Sequence, residues 1–166
     1  VGPCDLKPDK SRTIYASLVR SIVYQQLTGK VAVIIIGRFL DLFPGKKYPT
    51  PENILALPVD TLCGVGLSNQ KTQYIRNIAQ ATIDGVVPDS RKASRMSDDE
   101  LVEQLTYIKG VGRWTVEMLL IFRLGRTDVL PATDYGVQKG FALAKRLAEH
   151  PKPKELLAAG ECWAPH

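Results

Sequence analysis

Apolar residues recur at helical spacing along almost the whole chain, and no strand-like alternation persists. Ile14, Leu18, Val19, Ile22, Val23 and Leu27 form one stripe. Ser11 or Thr13 can cap its start, and Gly29 is expected to break its end. Lys30 to Phe43 follows. Its β-branched stretch Val31 to Ile36 could be read as a buried strand, but the length to Phe43 and the spacing of Ile35, Phe39, Leu40 and Phe43 favour a helix closed by Pro44-Gly45. Thr50-Pro51-Glu52 reads as a cap followed by proline at the first helical position, opening a short helix from Glu52 to Leu57. Ser68 caps a longer one with Tyr74, Ile75, Ile78, Ala79 and Thr82 inward and Gly85 as its stop. Ser97-Asp98-Asp99-Glu100 is a capping box ahead of Leu101, Val102, Leu105 and Ile108. The pattern resumes at Trp114 and runs through Met118, Ile121 and Phe122. Beyond Pro131, Asp134 can cap a helix with Val137, Phe141, Leu143, Ala144 and Leu147 inward. Pro151 and Pro153 open a last one near Glu155 to Ala159. The expected class is all-α, with about eight helices joined by short loops.

Composition narrows the function classes only a little. With 166 residues, 45% of them hydrophobic and 23% charged, the chain reads as globular. Its longest aliphatic run, Val31 to Ile36, is far short of the roughly 18 residues a membrane span needs. Cys4, Cys63 and Cys162 are scattered and form no CxxC pair, which argues against a disulfide framework, a zinc knuckle or a four-cysteine cluster. Such usage suits a reducing compartment. Val1 to Asp5 lack the charged-then-apolar pattern of a secretory leader, so the expectation is an intracellular protein, cytoplasmic or nucleoid, or nuclear in a eukaryote. The net charge of +5 is a mild hint of a polyanionic partner.

The most informative stretch is Leu105-Thr106-Tyr107-Ile108-Lys109-Gly110-Val111-Gly112-Arg113-Trp114-Thr115. Two glycines bracket one aliphatic residue between two amphipathic segments. Glycine permits positive φ and lets another surface approach the backbone closely. The helix after the turn would point free N–H groups outward, where a phosphate oxygen gains hydrogen bonds and a favourable dipole. Val111 would anchor the turn, and Lys109 and Arg113 flank it with positive charge. A plain αα-hairpin would use its glycines only to end one helix and start the next. The apolar framing and the two cations together favour the phosphate-binding reading.

One loop further on lies Leu130-Pro131-Ala132-Thr133-Asp134-Tyr135-Gly136-Val137. An isolated aspartate there is most simply a helix cap. The spacing from the hairpin would also let it return beside the phosphate-facing end. One oxygen could then cap while the other faces a sugar.

The hairpin and this segment resemble the helix-hairpin-helix DNA glycosylase superfamily, and within it the DNA-3-methyladenine glycosylase II-like enzymes. Asp134 matches the second aspartate of their Pro-x-Asp-Asp-x-Gly-Val signature, and Thr133 stands where the first would be. The resemblance spans Ile14 to roughly Trp163 and implies a two-lobed helical fold. One lobe would be a helical barrel over 13–131 containing the helix-hairpin-helix at about 101–123. The other would be built from 1–12 plus 132–166. The Cys162-Trp163-Ala164-Pro165 stretch resembles the segment that leads into the family's last helix, and the smaller lobe is expected to lack that helix.

For function, the resemblance implies a monofunctional DNA glycosylase of base-excision repair. It would flip an alkylated base out of duplex DNA and use Asp134 to assist hydrolysis of the N-glycosidic bond. A catalytically silent hairpin DNA-binding module is the alternative. Trp114 sits where bifunctional relatives carry a Schiff-base lysine, so no lyase activity is expected. The expected DNA contacts are Lys109, Gly110, Val111, Gly112, Arg113 and Thr115 in the hairpin. Gln26 or Leu27, from Tyr24-Gln25-Gln26-Leu27-Thr28, would fill the gap left by the flipped base. Lys71, from Gly66-Leu67-Ser68-Asn69-Gln70-Lys71, would touch a phosphate. Trp114, Met118 and Tyr135 are the expected pocket residues. No cofactor is required and no iron–sulfur cluster is expected. A Na+ or K+ ion could be held by the carbonyls of Thr106, Ile108 and Val111. The expected state is a monomer acting on double-stranded DNA with a damaged base, away from membranes.

Overall fold

The computed structural model describes residues 6–164, so Cys4, Pro165 and His166 lie outside the described residues, as do the ends of the smaller expected lobe. The described chain is helical and contains no strand, in agreement with the all-α expectation. Helix α1 (Ile14–Tyr24) begins where the Thr13 hydroxyl accepts a hydrogen bond from the Ala16 amide. Its end departs from expectation. The helix stops at Gln25, and Gln26 takes a left-handed conformation with φ 57°. Gly29 instead starts α2 (Gly29–Asp41). Leu27 misled the pattern because it still packs against the core from within the turn. The Val31–Ile36 stretch is helical, burying Ala32 and Ile35 while Val31, Val33 and Ile34 are exposed.

Thr50 builds a capping box with Asn53 to open α3 (Pro51–Ala56). The next helix, α4 (Val59–Gly64), was not anticipated, since six residues burying only Leu62 show no period. Ser68 caps α5 (Asn69–Ile83), as expected. The single turn α6 (Ser90–Ala93), capped by Asp89, is the second unanticipated element. These two bring the count to ten α-helices among the described residues, against about eight expected. The Ser97–Glu100 capping box opens α7 (Asp98–Thr106). After the hairpin turn, α8 (Arg113–Leu119) passes directly into a π-helical segment, Leu120–Leu124, that closes at Gly125 with φ 73°. Asp134 caps α9 (Tyr135–Lys145), and α10 (Pro153–Gly160) comes last.

Helix α1 packs against α2, α5 and α8, α3 and α4 lean on α5, and α7 pairs with α8. Leu18, Ile22, Phe39, Ile54, Leu62, Ile75, Ile78, Leu101, Leu105 and Leu119 are fully buried at these contacts. The core cluster draws all its buried members from Ile14 to Leu120. Such a core, at roughly 1.5–3 kcal/mol for each large aliphatic side chain removed from water, fixes the scaffold beneath the hairpin. Residues 8–12 lie against the end of the π segment. The Asp9 amide donates to Phe122 O at 2.8 Å, and the buried Arg123 guanidinium donates to Arg12 O and to Ser90 Oγ.

In α9 the predicted face is rotated. Ala142 is the buried residue, whereas Leu143 is 71% and Leu147 47% exposed, and Ala144 is exposed as well. Neighbouring positions on a helix point about 100° apart, so burial of Ala142 turns Leu143 outward. Leu147 lies beyond the helix end, past the left-handed Arg146. Among the described residues no helix is long and apolar enough to cross a membrane.

Candidate active site

The two hairpin glycines serve different ends. Gly110 has φ 105°, and a Cβ added there would sit 2.2 Å from Tyr74 Cγ, so the turn closes onto α5 only because that atom is missing. Gly112 has φ −92°, an ordinary conformation, and an added Cβ would meet nothing within 4 Å. It caps α8 and leaves open space in front of the backbone. Val111 is buried between them, as expected of the anchor, and its amide donates to Ile108 O at 2.9 Å. From α5, Asn77 Nδ2 donates to Lys109 O at 3.0 Å and fixes the turn's near side. The Thr115 amide donates back to Gly112 O at 2.9 Å, and the amides of Gly112, Arg113 and Trp114 precede it at the positive end of the helix.

Asp134 faces this hairpin. Its Oδ1 accepts from the Val137 amide at 3.0 Å and so caps α9, while Oδ2 accepts from Trp114 Nε1 at 2.7 Å. Helix α8 is thereby joined to α9 through the carboxylate. A cleft of about 480 Å³ opens at this point, with Gly110, Gly112, Trp114 and Thr115 on one side, Thr133, Asp134 and Tyr135 on another, and Gln25 and Gln26 on a third. Asp134 and Trp114 are each half-buried, and Tyr135 is 63% exposed at the mouth. A fixed, half-buried acceptor can stabilise positive charge developing on a bound molecule.

Residues 19–165 match the model of the HhH-GPD superfamily base excision DNA repair proteins. The chain belongs to this superfamily. It is 42% identical over 151 residues to DNA-3-methyladenine glycosylase 1 of Schizosaccharomyces pombe, covering 91% of this chain and 66% of that protein. It is 36% identical over 176 residues to the alkylbase DNA glycosidase-like protein mag2 of the same yeast, covering 98% of this chain and 83% of that one. Among solved structures, the S. pombe 3-methyladenine DNA glycosylase in complex with abasic DNA superposes with a TM-score of 0.91 at 39% identity, covering 98% of this chain and 80% of that one. The chain thus spans about two-thirds of the first of these relatives.

In this HhH-GPD protein about half of the residues expected at the site from sequence converge, and the others are placed elsewhere. Gln26, Gly110, Gly112, Trp114, Thr115, Asp134 and Tyr135 line one cleft. Lys109 and Arg113 are exposed on the hairpin, and Arg113 Nε donates to Glu117 Oε1 at 3.0 Å. Thr115 is not free for a DNA contact. It is 1% exposed, and its hydroxyl accepts from Gln25 Nε2 at 3.1 Å. Of the two candidates for filling the flipped base's place, Gln26 is exposed whereas Leu27 packs against the core. Met118 lines a neighbouring cavity of about 500 Å³ with Arg20 and Tyr24 and not the Asp134 cleft, and Trp114 lines both spaces.

Lys71 is the clearest correction. Its ammonium donates to Val23 O at 2.9 Å and to Gln25 O at 2.6 Å, so it points into the protein, and burial lowers its pKa from the ordinary lysine value. A phosphate contact from this side chain is replaced by a bond to the end of α1. Sequence reasoning also missed Gln25, Tyr74 and Asn77. Each acts through a partner tens of residues away, which no local spacing signals. In the hairpin, Ile108 O already accepts the Val111 amide and keeps one lone pair for a cation. Among the described residues no cluster of His, Cys, Asp and Glu could hold a metal, so such an ion would depend on backbone oxygens.

Proposed function

We propose that this HhH-GPD protein is a monofunctional DNA glycosylase that removes alkylated bases of the 3-methyladenine type from duplex DNA in base-excision repair. The observation that carries the reading is the position of Asp134, half-buried, bonded to Trp114 and lining one cleft together with Gly110 and Gly112 of the hairpin. The hairpin grips a phosphate, and Lys109 and Arg113 add positive charge along the strand. The nucleotide everts into the cleft, where the Trp114 ring and Tyr135 flank the base. A base alkylated on the ring is cationic and leaves as a neutral molecule once the C1′–N bond breaks. Asp134 then faces the positive charge on the sugar and stabilises it. Water adds to C1′, and the proton it sheds passes to the carboxylate or to solvent, leaving an abasic site.

Trp114 carries no amine, so no Schiff base forms at that position, and the Lys71 ammonium is directed at carbonyls of the fold. The carbonyls of Thr106, Ile108 and Val111 are suited to a Na+ or K+ ion that would stiffen the turn. The deciding experiment is incubation with methylated duplex DNA and chromatography of the released bases. Free 3-methyladenine or 7-methylguanine is expected, without a borohydride-trapped covalent adduct. Tight binding with no base release would instead make the protein a hairpin DNA-binding module.

A further inference from the structure

We propose that Lys71 is a positioning residue, a clamp that holds the Gln25–Gln26 turn at the rim of the cleft. The end of α1 presents carbonyl oxygens without helical partners, as every helix end does, yet no basic residue lies in its own last turn. Lys71 supplies the missing cation from α5, 46 positions further along the chain, donating to Gln25 O at 2.6 Å and to Val23 O at 2.9 Å. An ammonium at a helix C-terminus is favoured by the dipole as well as by these two charge-assisted bonds.

The clamp matters because it borders a strained residue. Gln26 is a non-glycine residue at φ 57°, a conformation that persists only where its surroundings enforce it. Gln25 is fixed at both ends, its carbonyl by Lys71 and its side-chain amide by the buried Thr115 hydroxyl. Gln26 is thereby left exposed and directed at the space beside Asp134 and Gly112. Two further α5 residues, spaced by three, act on the hairpin. Tyr74 packs under Gly110, and Asn77 holds Lys109 O. Helix α5 therefore sets the distance between the turn and the hairpin, and Lys71 is its contact with the turn. Resting on the glycosylase reading above, the inference makes Lys71 necessary for flipping or holding the damaged nucleotide without touching DNA.

The test compares Lys71→Met and Lys71→Arg with the unsubstituted chain. Hydrogen exchange of the 25–28 segment is expected to quicken about tenfold or more in Lys71→Met and to stay near the parent rate in Lys71→Arg, which keeps donors for both carbonyls. Single-turnover base release should fall at least tenfold in Lys71→Met. The slope of log affinity for undamaged duplex against log salt should not change. A phosphate ligand would behave differently, lowering that slope by about 0.9 with a uniform loss of affinity. That result, or unchanged exchange in Lys71→Met, overturns the clamp. Should Lys71→Met fail to fold, Gln26→Gly is introduced beside it, since glycine takes the left-handed turn unaided. Recovery of the fold supports the clamp, and no recovery overturns it. A parent chain that releases no base removes the glycosylase reading alone, because the exchange measurement still judges Lys71.

Discussion

The indole N–H of Trp114 donates to Oδ2 of Asp134 at 2.7 Å, while the other oxygen of the same carboxylate is taken by the Val137 amide. Both bonds use the carboxylate as acceptor, one from each helix flanking the cleft. The acid's orientation is thus set from two directions before any substrate arrives, the arrangement that electrostatic stabilisation of a cationic sugar requires.

Asp134→Asn separates chemistry from architecture. Asparagine caps helices about as well as aspartate, so α9 should be retained, while the thermal midpoint should fall by a few degrees because Nδ2 cannot accept from Trp114 Nε1. The negative charge is lost, and base release should drop by about 100-fold or more. Abasic-DNA binding should remain. Single-turnover release beside a thermal melt checks this, and near-normal release would remove Asp134 from the reaction.

Trp114→Phe keeps an aromatic wall and deletes the donor to Asp134. The rate of base release should fall about tenfold, the weight of one hydrogen bond of roughly 1.4 kcal/mol acting on an ionised group. Substrate KM should change less than twofold, because the ring face is retained. A change confined to KM would mean that the indole serves only as a surface for the base.

Gly110→Ala and Gly112→Ala should part company. At Gly110 the new methyl collides with Tyr74 and φ lies at 105°. Destabilisation of at least about 2–3 kcal/mol is expected from strain and overpacking together. At Gly112 the space is open and φ ordinary, so stability should shift by under about 1 kcal/mol. Affinity for DNA should fall there, since the added methyl occupies the approach to the backbone. Urea unfolding and duplex binding measured on both variants read the contrast.

The Ser97–Glu100 capping box gives a pH signature. Hydrogen bonds from the Ser97 amide and side chain hold the Glu100 carboxyl below its ordinary pKa. Its contribution to stability is therefore complete above the usual glutamate value of about 4.3 and is lost as pH falls through the lower folded value. Glu100→Gln should flatten the acid limb of the stability curve over that window. Ser97→Ala should cost about 1 kcal/mol at neutral pH, measured by denaturant unfolding.

The range of each interaction decides how legible it is in the sequence. Helix identities other than α4 and α6, the Thr13, Ser68, Ser97 and Asp134 caps, the hairpin glycines and the acid downstream can all be read from residues within a few positions of each other. Capping and helical periodicity are local physics, written in neighbouring side chains. The end of α1 is misread because an apolar Leu27 continues the stripe, whereas the chain turns left-handed at Gln26, just after the Gln25 carbonyl that Lys71 reaches from α5. In the same way Thr115 looks like a contact for DNA until Gln25 claims its hydroxyl, and Tyr74 gives no sign of seating Gly110. Chain order alone therefore carried most of the elements, the turn chemistry and the presence of one acid downstream of one glycine hairpin. The partners that Lys71, Thr115 and Trp114 take were settled by packing, because a side chain's donors go to whichever acceptors the fold brings within about 3 Å, and that distance is a property of three dimensions.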